Sequence, residues 1–411
     1  MDNGNVMQDR AAWDMGYGMN QYGRMEKTGQ SVESANKRWK TGLSWVRFSV
    51  AAYLTALCLC GCGKGEEPPE YSEYGTGGED MVFAGQLGMG WNLGNSLESV
   101  CGDGRYTGNS LELYWQNPAT TKEMIDEVRR AGFTLLRLPV TWEGHMDSQG
   151  NIDGEWLARV KEVVDYGMEN GMYVILNAHH DTWFEPTPEN EENAVRKMED
   201  VWSQVGEYFA AYDNHLLFEG MNEPRRIGSP EEWTGGSAET ASIVNRLNQV
   251  FVDTVRGQGG NNAERYLLVA TYGNSVEECA LDWFTMPEGE HLIVTVHAYL
   301  PYGFAMDAQG TGTWGKDGAA ELEAVMERLG TRFAANGIPV IIGEFGSIDK
   351  GNTKERLQWL EDYREAAGKY RIGLVWWDEG GRSGETYGRF RLFDRERLEW
   401  LFPEIRDALV R

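Results

Sequence analysis

Two glutamates stand where they could do chemistry. Glu223 follows the apolar run Leu216–Met221 in Met-Asn-Glu-Pro, and Glu344 closes a second run in Gly-Glu-Phe-Gly. A carboxylate at the end of an apolar run emerges from a dry wall. Two that face each other suit cleavage of a glycosidic bond: one protonates the leaving oxygen, and the other attacks or activates water. Taken singly, either reads equally as an ion-pair partner, for example of Arg137. Other run ends are also polar, with Arg137, then His179, His180 and Asp181, then Asn222, then His297 and Tyr299, then Trp377 and Asp378. Polar groups at one run end are common. The same pattern at six run ends marks a shared site.

The runs that present these groups are short and nearly continuously apolar. They are Gly88–Leu93, Thr134–Val140, Tyr173–Ala178, Leu216–Met221, Tyr266–Thr271, Ile293–Tyr299, Val340–Phe345 and Gly373–Trp377. Such runs suit parallel strands covered on both faces. Helical patterns lie between them, clearest at Thr121–Ala131, Trp156–Asn170, Ala194–Tyr212, Ala238–Arg256, Ala319–Asn336 and Thr353–Ala367. Gly132, Gly171 and Gly337 each end a helix just before a strand. Eight strand–helix units predict an α/β protein, a (β/α)8 TIM barrel forming a single catalytic domain over residues 81–411. A doubly wound open sheet is the rival, but the spacing after Gly88-Met89-Gly90 lacks its third glycine. A barrel gathers the C-terminal strand ends at one mouth, where the polar residues fall. His297 and Tyr299, two apart on a strand, are expected on one face. The adjacent His179 and His180 are expected on opposite faces, with His179 toward the site.

The first 80 residues read differently. A basic stretch from Met25 to Arg47 precedes the apolar Phe48–Leu59 and then Leu59-Cys60-Gly61-Cys62. That order reads as an export signal, and Met25 reads as its start, which leaves residues 1–24 as an over-extended beginning. Residues 1–61 are assigned to this start and signal. The ending resembles a bacterial lipoprotein signal with Cys62 as the lipidated residue; an ordinary signal peptide or a short anchor is the alternative. Residues 62–80, rich in Gly, Pro and Glu, read as a lipid-anchored linker. The chain carries 38 Lys+Arg against 64 Asp+Glu, a net charge of −26, which disfavours nucleic acid as a partner. Only Cys101 and Cys279 lie outside the signal, across the predicted barrel from each other, and no disulfide is expected between them. The 16 Trp and 18 Tyr exceed what a core needs, so some rings should line a cleft that stacks sugar faces.

Seven separated blocks then carry a resemblance: GWNLGNSLES, LLRLPVTW, NAHHDTWF, FEGMNEP, VHAYLPY, VIIGEFGSIDK and VWWDEGG. In this order they resemble glycoside hydrolase family 5 and, within it, the subfamily 4 endoglucanases, over about residues 81–411. The resemblance implies a retaining endo-β-1,4-glucanase with a β-glucan polysaccharide or oligosaccharide as substrate. A monomer with no cofactor and no metal is expected, and the N-terminal signal adds a place at the cell surface, with the membrane met only through a lipid anchor. Glu223 matches the general acid/base and Glu344 the nucleophile. Arg137 and Tyr299 would hydrogen-bond Glu344, Asn222 would hold the sugar 2-hydroxyl, and His297 would orient near Glu223 or the substrate. Trp377 would form the floor under the sugar, with Trp376 packed in the wall. Among the loop aromatics, Trp183 and Trp314 are the leading candidates for stacking on glucose. Asn95 reads either as a distal sugar ligand or as a turn residue. Two positions depart from the family pattern: Glu379, expected near the rim, where the family has Asn, and Gln116 in the first loop.

Three other readings compete. The chain could be a xyloglucan-specific or mannan-cleaving relative. It could be a metal-dependent hydrolase using His179, His180, Asp181 and His297, although adjacent histidines diverge on a strand. It could be a surface lipoprotein that binds glycans without cleaving them, against which stand two intact glutamates.

Overall fold

The computed structural model describes residues 78–102, 104–382 and 384–411. The export signal, Cys62 and most of the predicted linker lie outside the described residues.

Eight parallel strands close into a barrel in sequence order. They are β1 (Met89–Asn92), β2 (Leu135–Leu138), β3 (Tyr173–Asn177), β4 (Leu216–Glu219), β5 (Leu267–Ala270), β6 (Leu292–His297), β7 (Val340–Phe345) and β8 (Gly373–Trp376). Strand β1 pairs with both β2 and β8, which closes the ring. A helix α1 (Glu79–Gln86) precedes β1, beginning two residues inside the segment read as linker. A principal helix then follows each strand: α2 (Lys122–Ala131), α3 (Gly154–Glu169), α4 (Glu191–Tyr208), α5 (Ala238–Arg256), α6 (Glu278–Trp283), α7 (Lys316–Arg332), α8 (Thr353–Lys369) and α9 (Pro403–Val410), with single helical turns at Asn261–Glu264 and Tyr302–Ala305. All eight predicted strands are present. The short α6 and the last helix α9 escaped the periodicity because neither is long enough to show a repeating face.

Local chemistry sets the element ends. The Asp153 side chain accepts from Glu155 N at the start of α3. Ser237 and Thr240 form a reciprocal capping box on α5. Gly132 ends α2 at φ 114°, a left-handed conformation that a side chain would oppose. Along α3, Trp156, Val160, Val163, Val164 and Gly167 are buried, so one face packs on the barrel wall.

Alternation along the strands separates two layers inside the barrel. Leu135, Ile175, Leu217, Leu268, Ile293, Ile341 and Val375 form an apolar layer with Leu87 and Tyr266. Two residues further along β2, β3, β4 and β6 stand Arg137, Asn177, Glu219 and Thr295, all fully buried. The lower layer is dry and the upper one is polar. Helix α1 lies against the lower layer, with the Phe83 ring stacked on Tyr266 at 3.6 Å and edge-on to Tyr173 at 5.6 Å. Replacing Phe83 with Ala should lower stability by about 1–2 kcal/mol, the worth of a partly buried aromatic side chain. Urea unfolding followed by tryptophan fluorescence measures this, with kcat unchanged because the mouth is at the opposite end.

Candidate active site

The upper layer is organised around one guanidinium. Arg137 donates from Nε to Glu219 Oε2 at 2.7 Å. Its Nη1 donates to Asn92 Oδ1 at 2.9 Å and to Glu344 Oε1 at 2.8 Å, and its Nη2 to Asn222 Oδ1 at 2.8 Å. Burial opposes its charge, but Glu219 and Glu344 outweigh burial and hold its pKa above the ordinary value. Gly343 makes the space: a side chain there would sit 3.0 Å from Thr295 Oγ1 and 3.6 Å from Arg137 Nε. Glu219 is held in turn by Thr295 Oγ1 at 2.8 Å and Asn177 Nδ2 at 3.1 Å.

Glu344 is the penultimate residue of β7, where pairing with both neighbours shifts register. Such irregularities re-aim side chains at barrel rims. While Arg137 holds Oε1, the Tyr299 hydroxyl donates to Oε2 at 2.9 Å. Burial first, and Glu344 second, raise the Tyr299 pKa well above its usual value, so it remains a donor. Glu223 lies beyond β4 with φ 46°. Asn274 Oδ1 accepts from Glu223 N at 2.6 Å, and Arg225 Nη1 donates to the Glu223 carbonyl at 3.1 Å, which fixes this left-handed turn. Glu223 Oε1 meets His297 Nδ1 at 2.9 Å. Burial raises its pKa, but the His297 contact and the nearby Arg225 overcome this and hold Glu223 at about 2. His297 Nδ1 is also 3.6 Å from Glu344 Oε2. One ligand atom each of Glu223, His297 and Glu344 lies within 4.8 Å of the others.

The structure brings Arg137, Asn222, His297, Tyr299 and His179 to the carboxylates as expected; His179 Nε2 stands 3.9 Å from Glu344 Oε1. Burial lowers the pKa of both histidines, His179 well below its ordinary value and His180 to about 4, so both are neutral. Their predicted divergence is corrected. β3 ends at Asn177, so strand alternation does not extend to them, and their rings meet edge-to-face at 4.6 Å. Trp377 is half-buried, with its ring nearly parallel to His179 at 5.9 Å. Trp376 is fully buried, as expected of a wall residue.

Several sequence candidates lie elsewhere. Trp183 is buried in the core against Phe184 and offers no face to a ligand. Trp314 packs edge-on against Phe304 and donates from Nε1 to Asp362 on α8 at 2.6 Å, so it pins a loop to the outer helices. Asn95 has φ 57°, and its carbonyl accepts from Asn117 Nδ2 at 2.7 Å, which makes it a turn residue. Asp181 accepts from Trp142 N at 2.9 Å and from Glu143 N at 2.5 Å, committed to the backbone and not to a ligand set with the histidines. Glu379 is buried, not on the rim, where burial and Asp378 push it up to about 7. Cys279 makes no disulfide, and its Sγ donates to Thr234 O at 3.3 Å.

Sequence reasoning missed Glu219, Asn177, Thr295 and Asn274. A signal existed for the first: a charge inside an apolar strand must be paired. Arg137 and Glu219 sit inside two such strands with opposite signs.

A closed parallel barrel with two facing carboxylates at its C-terminal mouth is the layout of barrel enzymes that cleave glycosidic bonds. Comparison with known proteins agrees. The model of Cellulase (glycosyl hydrolase family 5) matches residues 98–383. Endoglucanase A of Clostridium longisporum is 42% identical over 335 residues, covering 79% of this chain and 64% of that protein. Cellulase/esterase CelE of Acetivibrio thermocellus is 44% identical over 331 residues, covering 79% of this chain and 39% of its own length. The chain thus spans less than two thirds of these relatives. A solved broad-specificity endoglucanase of subfamily 4 from Ruminococcus champanellensis, with cellotriose bound, superimposes with a TM-score of 0.77 at 38% identity, covering 80% of this chain and 98% of the other. The chain belongs to glycosyl hydrolase family 5.

Truncating Glu219 to Ala would leave the fully buried Arg137 without its strongest partner. Loss of one member of such a pair costs about 3–5 kcal/mol. The expected result is a large fall in the thermal midpoint together with weakened activity, read by calorimetry and a turnover assay.

Proposed function

We propose that this chain is a retaining endo-β-1,4-glucanase that cleaves internal bonds of β-glucans. The observation that carries this reading is the separation of the carboxylates. One oxygen of Glu223 lies within 4.8 Å of one oxygen of Glu344, on the short side of the two spacings that glycosidases use. About 5–5.5 Å is the spacing of enzymes that form a covalent glycosyl intermediate, against roughly 6.5–9.5 Å for those that use water directly.

Glu344 is the nucleophile. Arg137 on one oxygen and Tyr299 on the other fix its orientation before substrate arrives, so little reorganisation remains at the moment of attack. Glu223 is the acid and then the base. In the free site the His297 contact at 2.9 Å and the nearby Arg225 hold it ionised. Protonation of Glu223 as substrate binds arms it to protonate the leaving oxygen. When Glu344 becomes an ester its negative charge is lost, and Glu223 then accepts a proton from the incoming water. Asn222, its carbonyl oxygen held by Arg137, presents its amide to the sugar 2-hydroxyl. Trp377 supplies a flat face beneath the ring. The cellotriose bound to the R. champanellensis enzyme supports a β-1,4-glucan chain as the occupant. The basic and apolar stretches ahead of Cys62 support export and lipid anchoring, which suits a polymeric substrate that cannot cross a membrane.

Glu223→Ala and Glu344→Ala should each lower kcat by about 10³-fold or more on carboxymethylcellulose or lichenan. Azide should partly restore Glu344→Ala and yield the inverted glycosyl azide; a retained product would exchange the two roles. Wild-type protein that folds but releases no oligosaccharide from any β-glucan would defeat the reading. Removing the cation beside Glu223 by Arg225→Gln destabilises its ionised form and raises its pKa. The alkaline limb of the kcat/KM profile should therefore move to higher pH.

A further inference from the structure

A segment that follows β8 is tied down by two consecutive carboxylates. Asp378 Oδ2 accepts from Leu392 N at 2.9 Å and Phe393 N at 3.0 Å. Glu379 accepts from Phe390 N with both oxygens, at 3.0 and 3.1 Å. Trp376 Nε1 donates to the Phe390 carbonyl at 3.1 Å, so Phe390 is gripped at both backbone groups. Its side chain is buried, with the ring centroid 5.0 Å from that of Tyr299. Gly346 leaves the space for it, since a side chain there would approach within 2.9 Å of the Phe390 ring. Tyr299 in turn donates its hydroxyl to Glu344 Oε2. A continuous path therefore runs from the Glu379 carboxylate through the Phe390 amide and ring to the Tyr299 ring and the Glu344 oxygen.

We propose that Glu379 is a positioning residue for the reaction: by tethering Phe390, it sets the ring against which Tyr299 packs and so aims the Tyr299 hydroxyl at Glu344. This rests on the roles given above for Glu344 and Tyr299. Glu379 does not touch substrate on this account. It is buried, and its own carbonyl accepts from Asn117 Nδ2 at 2.9 Å, which binds the same turn to the first loop. The physical need is geometric. Tyr299 reaches Glu344 along a single O–H···O contact of 2.9 Å, and hydrogen bonds weaken steeply once misaligned. A ring free to rock would lose that contact for much of the time, while sugar binding at Trp377 would be untouched.

The test is a double-mutant cycle on lichenan, with wild-type turnover measured first. An inactive wild type sinks the proposed function, whereas the inference stands or falls on coupling within an active enzyme. Glu379→Ala should lower kcat on the order of tenfold, about the loss of 1.4 kcal/mol of transition-state stabilisation, with KM nearly unchanged. Glu379→Gln, whose amide oxygen still accepts from Phe390 N, should keep kcat within about twofold of wild type. In a Tyr299→Phe background, Glu379→Ala should have no further effect on kcat, because no hydroxyl remains to be aimed. An equal loss with and without the hydroxyl overturns the proposal, as does a glutamine variant as impaired as alanine. If Glu379→Ala does not fold, Phe390→Leu replaces it: the tether is kept, the aromatic contact is lost, and additivity with Tyr299→Phe is again the overturning result.

Discussion

One buried guanidinium sets the terms for the rest of this molecule. Arg137 is wholly removed from water, so its charge must be matched by groups the fold itself supplies. Its acceptors are Asn92 from β1, Glu219 from β4, Asn222 just beyond β4, and Glu344 from β7. These residues are far apart in sequence and meet only when the barrel has closed in register. Satisfying the charge and assembling the site are therefore the same event. A lysine could not replace it, because the planar fork presents several donors in fixed directions whereas an ammonium offers a point charge.

The division of labour between layers follows from this. Below the guanidinium the barrel is filled with branched aliphatic side chains, which resist movement because they pack at interior density. Above it the groups are polar, and they are partnered by backbone and side-chain atoms of the barrel. Such a site is costly to build but ready to use. Dipoles that already point at the reacting atoms need not reorganise during the reaction, which is how fixed electrostatics lower a barrier. Glu223 shows the same economy, since its left-handed backbone is held by Asn274 from beyond β5 and by Arg225 two residues further on.

Aromatic composition misled where burial decided the outcome. Trp183 and Trp314 lie in loops beyond strand ends, the position expected of sugar-stacking rings. One is sealed in the core, and the other pins a loop to α8 through its indole nitrogen. The ring proposed to lie beneath the sugar is instead that of Trp377, nearly parallel to His179. A tryptophan satisfies packing and hydrogen bonding as readily as it satisfies a ligand, so type and loop placement do not separate these uses.

The sequence by itself determined the eight strands, because parallel strands covered on both faces must be continuously apolar. It determined the helix ends at Gly132 and Gly171, because a left-handed residue there is most easily glycine, whereas α7 ends at Arg332 and Gly337 closes a separate turn. It also singled out Glu223 and Glu344: either alone reads as an ion-pair partner, but seven blocks agreed on both. Only the tertiary structure decided that Glu219 pairs with Arg137, that the rings of the two adjacent histidines meet, and that Glu379 is buried rather than on the rim. These depend on which atoms of distant strands and loops come within about 3 Å of each other. Hydrogen bonding is that short in range, and no local pattern along the chain encodes it.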